Sequence, residues 1–397
     1  MTAGGCHPCR SRPLAATGGG EPARRIVLAG GGTGGHLFPG IALAEEIRRR
    51  SSAHQILFIS RGNEFERAAL ARAGFPLAAI SVEGLKGRRR WDQLRGLCRL
   101  PRGIAQSFLR LQAFRPHLVI GLGSYSAGPV VVAAWLLRIP VALCEQNVLP
   151  GITNRVLARL ADLIFTSFDE SEGGFDPAKV RWTGNPLRRQ MVDPTARPSP
   201  PDTPPAKRFT VLVMGGSQGA HRINTAVIEA LGGLGGGDDF FFIHQTGGAD
   251  EALVADAYRQ SGVSARVRSF FDDMAVQYGQ ADLVICRAGA TTVAEITALG
   301  KAAVLIPYPH AADDHQHRNA RRLVDTGAAE MIDEQELNGE LLAARLGRYA
   351  SHPEVLADLA RQAARLGKPD AARRIVDECW RLVAARTPGQ RGNGVTG

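Results

Sequence analysis

The feature that most limits what this chain can become is one order of segments, used twice. A short apolar run without polar alternation is followed by a turn of small residues and then by an amphipathic stretch. The first series contains RIVLA, QILFIS, HLVIGL, PVALC and LIFTSF; the second contains FTVLVM, FFFIHQTG, ADLVICRAG and AAVLIPYP. Strands that are apolar on both faces belong to parallel sheets covered by helices on each side. Between the two series lies PTARPSPPDTPPAKR, residues 194–208, too rich in proline for a helix or a central strand. With 397 residues, the chain also exceeds what one ordinary core accommodates. The expectation is therefore an α/β protein of two doubly wound, Rossmann-like domains, 25–193 and 209–386, joined by a linker and facing each other across a cleft. Open α/β sheets bind ligands at the carboxyl ends of their strands, which is where such a cleft lies. Residues 1–24 read as a disordered leader and 387–397 as a tail. Helical sequence from about residue 336 closes the second domain and leaves its last helix free to pack back on the first.

The turns carry the chemistry. GGGTGG (30–35) follows a strand and precedes a helix with apolar positions at Leu37, Ile41, Ala44 and Ile47. Its backbone amides and the helix amino end are expected to face an anion, and Pro39 is expected near the first turn, where a missing donor does no harm. A dinucleotide site would need an acidic residue at the end of the next strand, but QILFISRGN ends in Ser60 and Arg61. Directly behind the glycines stands His36. A helix-start histidine that merely hydrogen-bonds locally is the plain alternative; a solvent-facing neutral imidazole able to act as a base is the reading preferred here. GLGSYSAGP (121–129) and CEQNVLPG (144–151) add polar groups at two more strand ends, as GGSQGA (215–220) and RAGATTVAE (287–295) do in the second domain. Ser217, Thr291 and Thr292 offer hydroxyls to a diphosphate, and Glu295 could accept from a ribose diol. PHAADDHQHRNA (309–320) concentrates Asp, His and Gln, which suits sugar hydroxyls better than zinc, and no Asp-x-Asp occurs in the chain.

A net charge of +10 favours anionic partners. In residues 84–115 many Lys and Arg stand against the lone Asp92, while Trp91, Leu94, Leu97, Leu100, Ile104, Phe108 and Leu111 recur three or four apart. Such a segment suits an anionic membrane surface; the alternative is an apolar stripe that is simply core. The longest apolar stretch, VVVAAWLLRIPVALC, is broken by Arg138 and Pro140, so no spanning helix is expected. Cys6 and Cys9 form an isolated CxxC without a second pair, and reduced thiols are expected.

Together GGGTGGHLFPG, GSYSAGP, EQNVLPG, GNPLR, GGSQGA, CRAGATTVAE and DDHQHRNA, in that order between residues 25 and about 385, resemble the MurG family of bacterial glycosyltransferases. The resemblance implies a GT-B fold and transfer of N-acetylglucosamine from UDP-N-acetylglucosamine to the 4-hydroxyl of muramyl pentapeptide on undecaprenyl diphosphate (lipid I). That is a step of peptidoglycan synthesis, on which cell shape and division depend. It implies inversion at the anomeric carbon, no metal and no cofactor, no nucleic-acid partner, and peripheral attachment to the cytoplasmic face of the plasma membrane.

Residue by residue, the resemblance makes His36 the base. Thr33, Gly34, Gly35 and Asn147 lie on the donor side of the cleft, with Arg188 near the donor and Ser217 at its diphosphate. The main chain of Phe271 meets uracil, Ala290, Thr291, Thr292, Val293, Ala294 and Glu295 surround phosphate and ribose, and Gln316 meets the sugar hydroxyls. Gly32, Tyr125 and Glu145 are expected at the acceptor. The chain departs from the family where Cys144 replaces a common histidine and where Ser124 and Ala127 replace glycine and serine. Two other readings stay open: another GT-B member such as a lipid glycosyltransferase or a UDP-sugar epimerase, and a nucleotide-sugar sensor without catalysis.

Overall fold

The computed structural model describes residues 22–82, 90–169, 174–197, 208–216, 219–234 and 239–386, and of 90–99 the backbone alone. Most of the leader and the linker, the tail, Ser217, the basic run Lys86 to Arg89 and the side chains of Trp91, Leu94 and Leu97 lie outside the described residues.

The first lobe runs β1 (Arg25–Ala29), α1 (Gly34–Arg50), β2 (Gln55–Ser60), α2 (Glu64–Ala73), β3 (Leu77–Ala79), α3 (Arg90–Phe114), β4 (Leu118–Gly121), α4 (Ala127–Leu136), β5 (Val141–Glu145), α5 (Ile152–Leu157), β6 (Leu163–Thr166) and β7 (Val180–Trp182), and the short α6 (Arg189–Val192) then joins the core of the second. The second runs β8 (Phe209–Met214), α7 (His221–Leu231), β9 (Phe240–Gln245), α8 (Glu251–Ser261), β10 (Ser264–Arg268), α9 (Met274–Gln280), β11 (Leu283–Cys286), α10 (Ala290–Leu299), β12 (Ala302–Leu305), α11 (His315–Val324) and β13 (Glu330–Met331), then α12 (Gly339–Ser351), α13 (Pro353–Leu366) and α14 (Ala371–Arg386). Strand orders are β3-β2-β1-β4-β5-β6-β7 and β10-β9-β8-β11-β12-β13, all pairs parallel. In each sheet the order reverses beside the first strand, β1 or β8, so both switch points open at the carboxyl end onto the glycine turns. The unbroken apolar runs form the inner strands of the two doubly wound sheets, and β3, β7, β10 and β13, outside those runs, complete them as edge strands. β1, β4 and β11 are buried at every residue from Ile26 to Ala29, Leu118 to Gly121 and Leu283 to Cys286.

The chain crosses between lobes twice. Leu187 and Met191, upstream of the proline-rich stretch, are buried in the core of the second lobe with Leu212, Phe271 and Tyr278. At the other end α14 leaves that lobe and buries Ile375, Val376, Cys379, Trp380 and Val383 against Ile41, Ile47, Phe58 and Cys144 of the first. On α3, Ile104, Phe108 and Leu111 pack into the first lobe's core, so these members of its apolar stripe face inward, whereas Leu100 of the same stripe does not. Leu109, 65% exposed, and Leu100 project outward, beside the exposed Arg102 and Arg110. No helix among the described residues is long and apolar enough to cross a membrane.

Candidate active site

The glycine loop is organised differently from the sequence expectation. Three of its amides are consumed internally: Gly30 donates to the Ile59 carbonyl at 3.0 Å, Gly31 to Ser124 Oγ at 3.3 Å and Gly32 to Glu66 Oε1 at 2.6 Å. The partner of Gly32 is a capping box. Asn63 caps α2 by accepting from Glu66 N, Glu66 Oε2 takes Asn63 N, and Asn63 Nδ2 donates back to the Gly32 carbonyl. The Glu66 carboxylate fills the space where a side chain on Gly31 would lie, which is why that position is bare. The anion-facing amides are thereby narrowed to the amino end of α1, where Thr33 is the cap residue and Gly34 the first helical one.

Pro39 is also displaced from its expected place. Helix α1 begins at Gly34, so the proline sits in its second turn and offers no hydrogen to the Gly35 carbonyl four residues earlier. That carbonyl instead accepts the Thr291 hydroxyl, 3.1 Å away on the other lobe. Thr291 in turn accepts from Asn185 Nδ2 at 3.3 Å. The amino ends of α1 and α10 therefore meet at one point, and both bring partial positive charge to the cleft.

His36 is half-buried rather than fully solvent-facing. Its Nδ1 lies 3.0 Å from the Leu122 carbonyl and 3.1 Å from Gln146 Oε1. Gln146, 2% exposed, donates its Nε2 to the same carbonyl at 3.0 Å. Gly123 adopts φ +84°, and a Cβ there would lie 3.0 Å from the imidazole, so only glycine admits the ring at this distance. Burial lowers the imidazole pKa from its ordinary 6.5; the bonds to Leu122 and Gln146 oppose this, and His315 across the cleft adds to it.

The other expected residues fall into several settings. Glu145 is buried inside its own loop, where its oxygens accept from Asn147 N at 3.0 Å, Gly151 N at 3.2 Å and Asn154 Nδ2 at 2.8 Å. Burial raises its pKa against those bonds. It shapes the turn that carries Gln146 and Asn147. Asn147 reaches the second lobe, accepting from Asn319 Nδ2 at 3.2 Å, while the fully buried Asn319 also takes Val148 N and donates to the Ala288 carbonyl. Tyr125 is partly exposed and its hydroxyl receives Arg61 at 3.4 Å.

In the second lobe Glu295 is 7% exposed and accepts from Tyr278 at 3.0 Å. Burial raises its pKa; Arg188 and Tyr278 pull it down. Arg188 lies over the Phe38 ring, 4.5 Å from its centroid. Phe271 N donates to Gln245 Oε1, so its carbonyl is the main-chain group left for a ligand. Gln316 Oε1 accepts Tyr308 N at 3.0 Å. Ala290 and Val293 are buried, while Thr291, Thr292 and Ala294 are partly exposed. Among the described residues no three His, Cys, Asp or Glu side chains converge as metal ligands do. Cys144 lies within the core of the first lobe, and burial pushes its thiol up to about 12.

Sequence reasoning left Glu66, Asn185 and Asn319 without a role in the site, and placed Gln146 among the polar groups at a strand end without its contact to His36. Asn63-x-x-Glu66 was visible as a capping box; the contacts of the other three became recognisable only when the fold brought distant segments together.

Comparison with known proteins matches both lobes. Residues 26–166 match the glycosyltransferase family 28 N-terminal domain and 210–375 its C-terminal domain. The chain is 46% identical over 360 residues to a UDP-N-acetylglucosamine--N-acetylmuramyl-(pentapeptide) pyrophosphoryl-undecaprenol N-acetylglucosamine transferase of Myxococcus xanthus, covering 90% of this chain and 93% of that one. It is 48% identical to the protein of the same name from an Anaeromyxobacter species, covering 91% and 94%. The crystal structure of Acinetobacter baumannii MurG superposes with a TM-score of 0.71 at 28% identity, over 90% of this chain and 99% of that one.

Proposed function

Because the chain belongs to glycosyltransferase family 28, we propose that it transfers N-acetylglucosamine from UDP-N-acetylglucosamine to muramyl pentapeptide on undecaprenyl diphosphate. The observation that carries the mechanism is the setting of His36: Nδ1 faces two oxygens, and among the described residues no hydrogen bond to Nε2 accompanies them. A proton on Nδ1 leaves the Nε2 lone pair available in the cleft. There it takes the proton of the acceptor's 4-hydroxyl as that oxygen attacks the anomeric carbon. Attack from the face opposite UDP inverts the centre. Thr33, Gly34 and Gly35 offer the amino end of α1 to one diphosphate, and Thr291 and Thr292 that of α10 to the other. Charge growing on departing UDP meets fixed dipoles there, and Arg188 adds a full positive charge nearby. The Phe271 carbonyl reads the base, Glu295 the ribose, and Gln316 the sugar. Tyr125 borders the acceptor, and Glu145 acts on it through the loop it holds.

The exposed Leu100, Arg102, Leu109 and Arg110 of α3 support peripheral attachment to the anionic cytoplasmic leaflet, where a polyprenyl acceptor resides. The test of the activity is incubation with radiolabelled UDP-N-acetylglucosamine and a short-chain lipid I analogue. Label is expected in the lipid product; UDP release without transfer, or binding without turnover, contradicts the reading.

A further inference from the structure

Three groups from three separate segments form a closed hydrogen-bond set behind the cleft. The Leu122 carbonyl, just past β4, accepts both Gln146 Nε2 and His36 Nδ1, each at 3.0 Å, and Gln146 Oε1 accepts His36 Nδ1 at 3.1 Å. Only one arrangement satisfies all three. A carbonyl oxygen cannot donate, so Gln146 must turn its NH2 toward Leu122 and its oxygen toward the ring. With two oxygens facing Nδ1, that nitrogen must carry the hydrogen. The other tautomer would set a ring lone pair against both oxygens in a place that water does not reach, since Leu122 is fully buried and Gln146 2% exposed.

We infer that Gln146 is a positioning residue of the transfer reaction, holding the His36 ring in the orientation and tautomer that leave Nε2 bare toward the acceptor hydroxyl. The inference rests on the reading of His36 as the base. Leu122 alone fixes one contact to a ring that can still tilt about it; the second oxygen from Gln146 makes the contact two-point. Gly123 provides the room, since a Cβ there would stand 3.0 Å from the imidazole and 3.3 Å from Gln146 Oε1. Glu145, next in sequence, cannot take this role because its carboxylate is turned under the loop toward Asn147, Gly151 and Asn154. The titratable group acting on His36 from the opposing lobe is His315, at the start of α11; it opposes a second positive charge without fixing the ring.

Full-length Gln146→Leu and Gln146→Glu proteins separate this role from a merely structural one. In Gln146→Leu, kcat is expected to fall about tenfold, as loss of one orienting hydrogen bond does, with both KM values within about twofold. Nitrogen-15 spectra of histidine-labelled protein, with His36→Gln identifying the signal, are expected to show Nδ1 protonated in the parent and a mixed tautomer in Gln146→Leu. Gln146→Glu keeps an oxygen on the ring but loses the donor to the Leu122 carbonyl, so kcat at alkaline pH is expected between those of Gln146→Leu and the parent. A carboxylate there favours imidazolium, which moves the acid limb of kcat to higher pH. Unchanged kcat and unchanged nitrogen spectra in Gln146→Leu overturn the inference. So does an acceptor KM that rises with kcat intact, which would put the amide on substrate. If instead His36→Ala turns over like the parent, it is the base that has been misidentified; the tautomer spectra still decide whether Gln146 sets the ring.

Discussion

The Thr291 hydroxyl donates across the cleft to the Gly35 carbonyl at 3.1 Å, and that carbonyl is available because Pro39 has no amide hydrogen. A residue usually tolerated in a helix only at its start here creates an acceptor for the opposite lobe. Thr291→Val keeps the shape and removes the bond. It is expected to lower kcat/KM about tenfold with little change in thermal stability, measured by steady-state kinetics and calorimetry. Pro39→Ala returns a competing hydrogen to Gly35. It is expected to weaken the lobe contact and lower kcat/KM several-fold while leaving the melting temperature unchanged or higher.

Acid titration gives a second prediction. Burial lowers the His36 pKa below the ordinary 6.5, so the ring is neutral and competent as a base at neutral pH. The midpoint of the acid limb of turnover is expected below pH 6.5, as the imidazole takes its second proton. The kcat–pH profile checks this, and an acid limb at or above 6.5 contradicts it. His244, buried and held down to about 3, also resists protonation in the fold. Between those values the unfolded chain binds more protons, so stability falls with pH as well, and rates belong in the range where the protein remains folded.

Arg72, in the last turn of α2, meets Asp272 at 2.6 Å beside the Phe271 main chain, a link between lobes at the mouth of the cleft. Both side chains are more than half exposed, so the pair contributes on the order of 0.2–1 kcal/mol and weakens with salt. Arg72→Asp is expected to raise donor KM two- to fivefold at low salt. Adding Asp272→Arg should restore it, and a swap that fails to recover argues against the latch.

Glu66 anchors the glycine loop through Gly32 and Asn63. Glu66→Ala removes both bonds and half of the capping box, with an expected loss of about 1–2 kcal/mol in urea unfolding and a higher acceptor KM. Glu66→Gln retains one acceptor oxygen and should lose less than half as much.

Cys144→His inserts a larger polar ring beside Ile375 and Cys379 in a filled core. A loss of about 1–3 kcal/mol is expected, with kcat unchanged. A rise in kcat would show that the position reaches the substrate after all.

Much of this architecture was legible in the sequence because parallel strands such as Ile26–Ala29 and Leu283–Cys286 are apolar on both faces and need no partner to be recognised. The glycine turns could also be located, since each sits between a strand and a helix. Which amides remain free could not be read: the partner of Gly32 is 34 residues away and that of Gly31 is 93. The same holds for His36, whose two oxygens come from 86 and 110 residues downstream. Local sequence marks a helix start, whereas the state of a ring nitrogen is decided by what other strands deliver beside it. The α3 stripe shows the reverse difficulty, because a period near 3.6 does not say which side is solvent, and Leu111 is fully buried.

The return of α14 to the first lobe has a consequence for biosynthesis. Trp380 and Val383 belong to a core whose other members begin at Ile26. A ribosome must therefore deliver the chain as far as Val383 before that core can close. Until then its unfinished face must wait in a partly wetted state, exposed to chaperones and to neighbouring nascent chains.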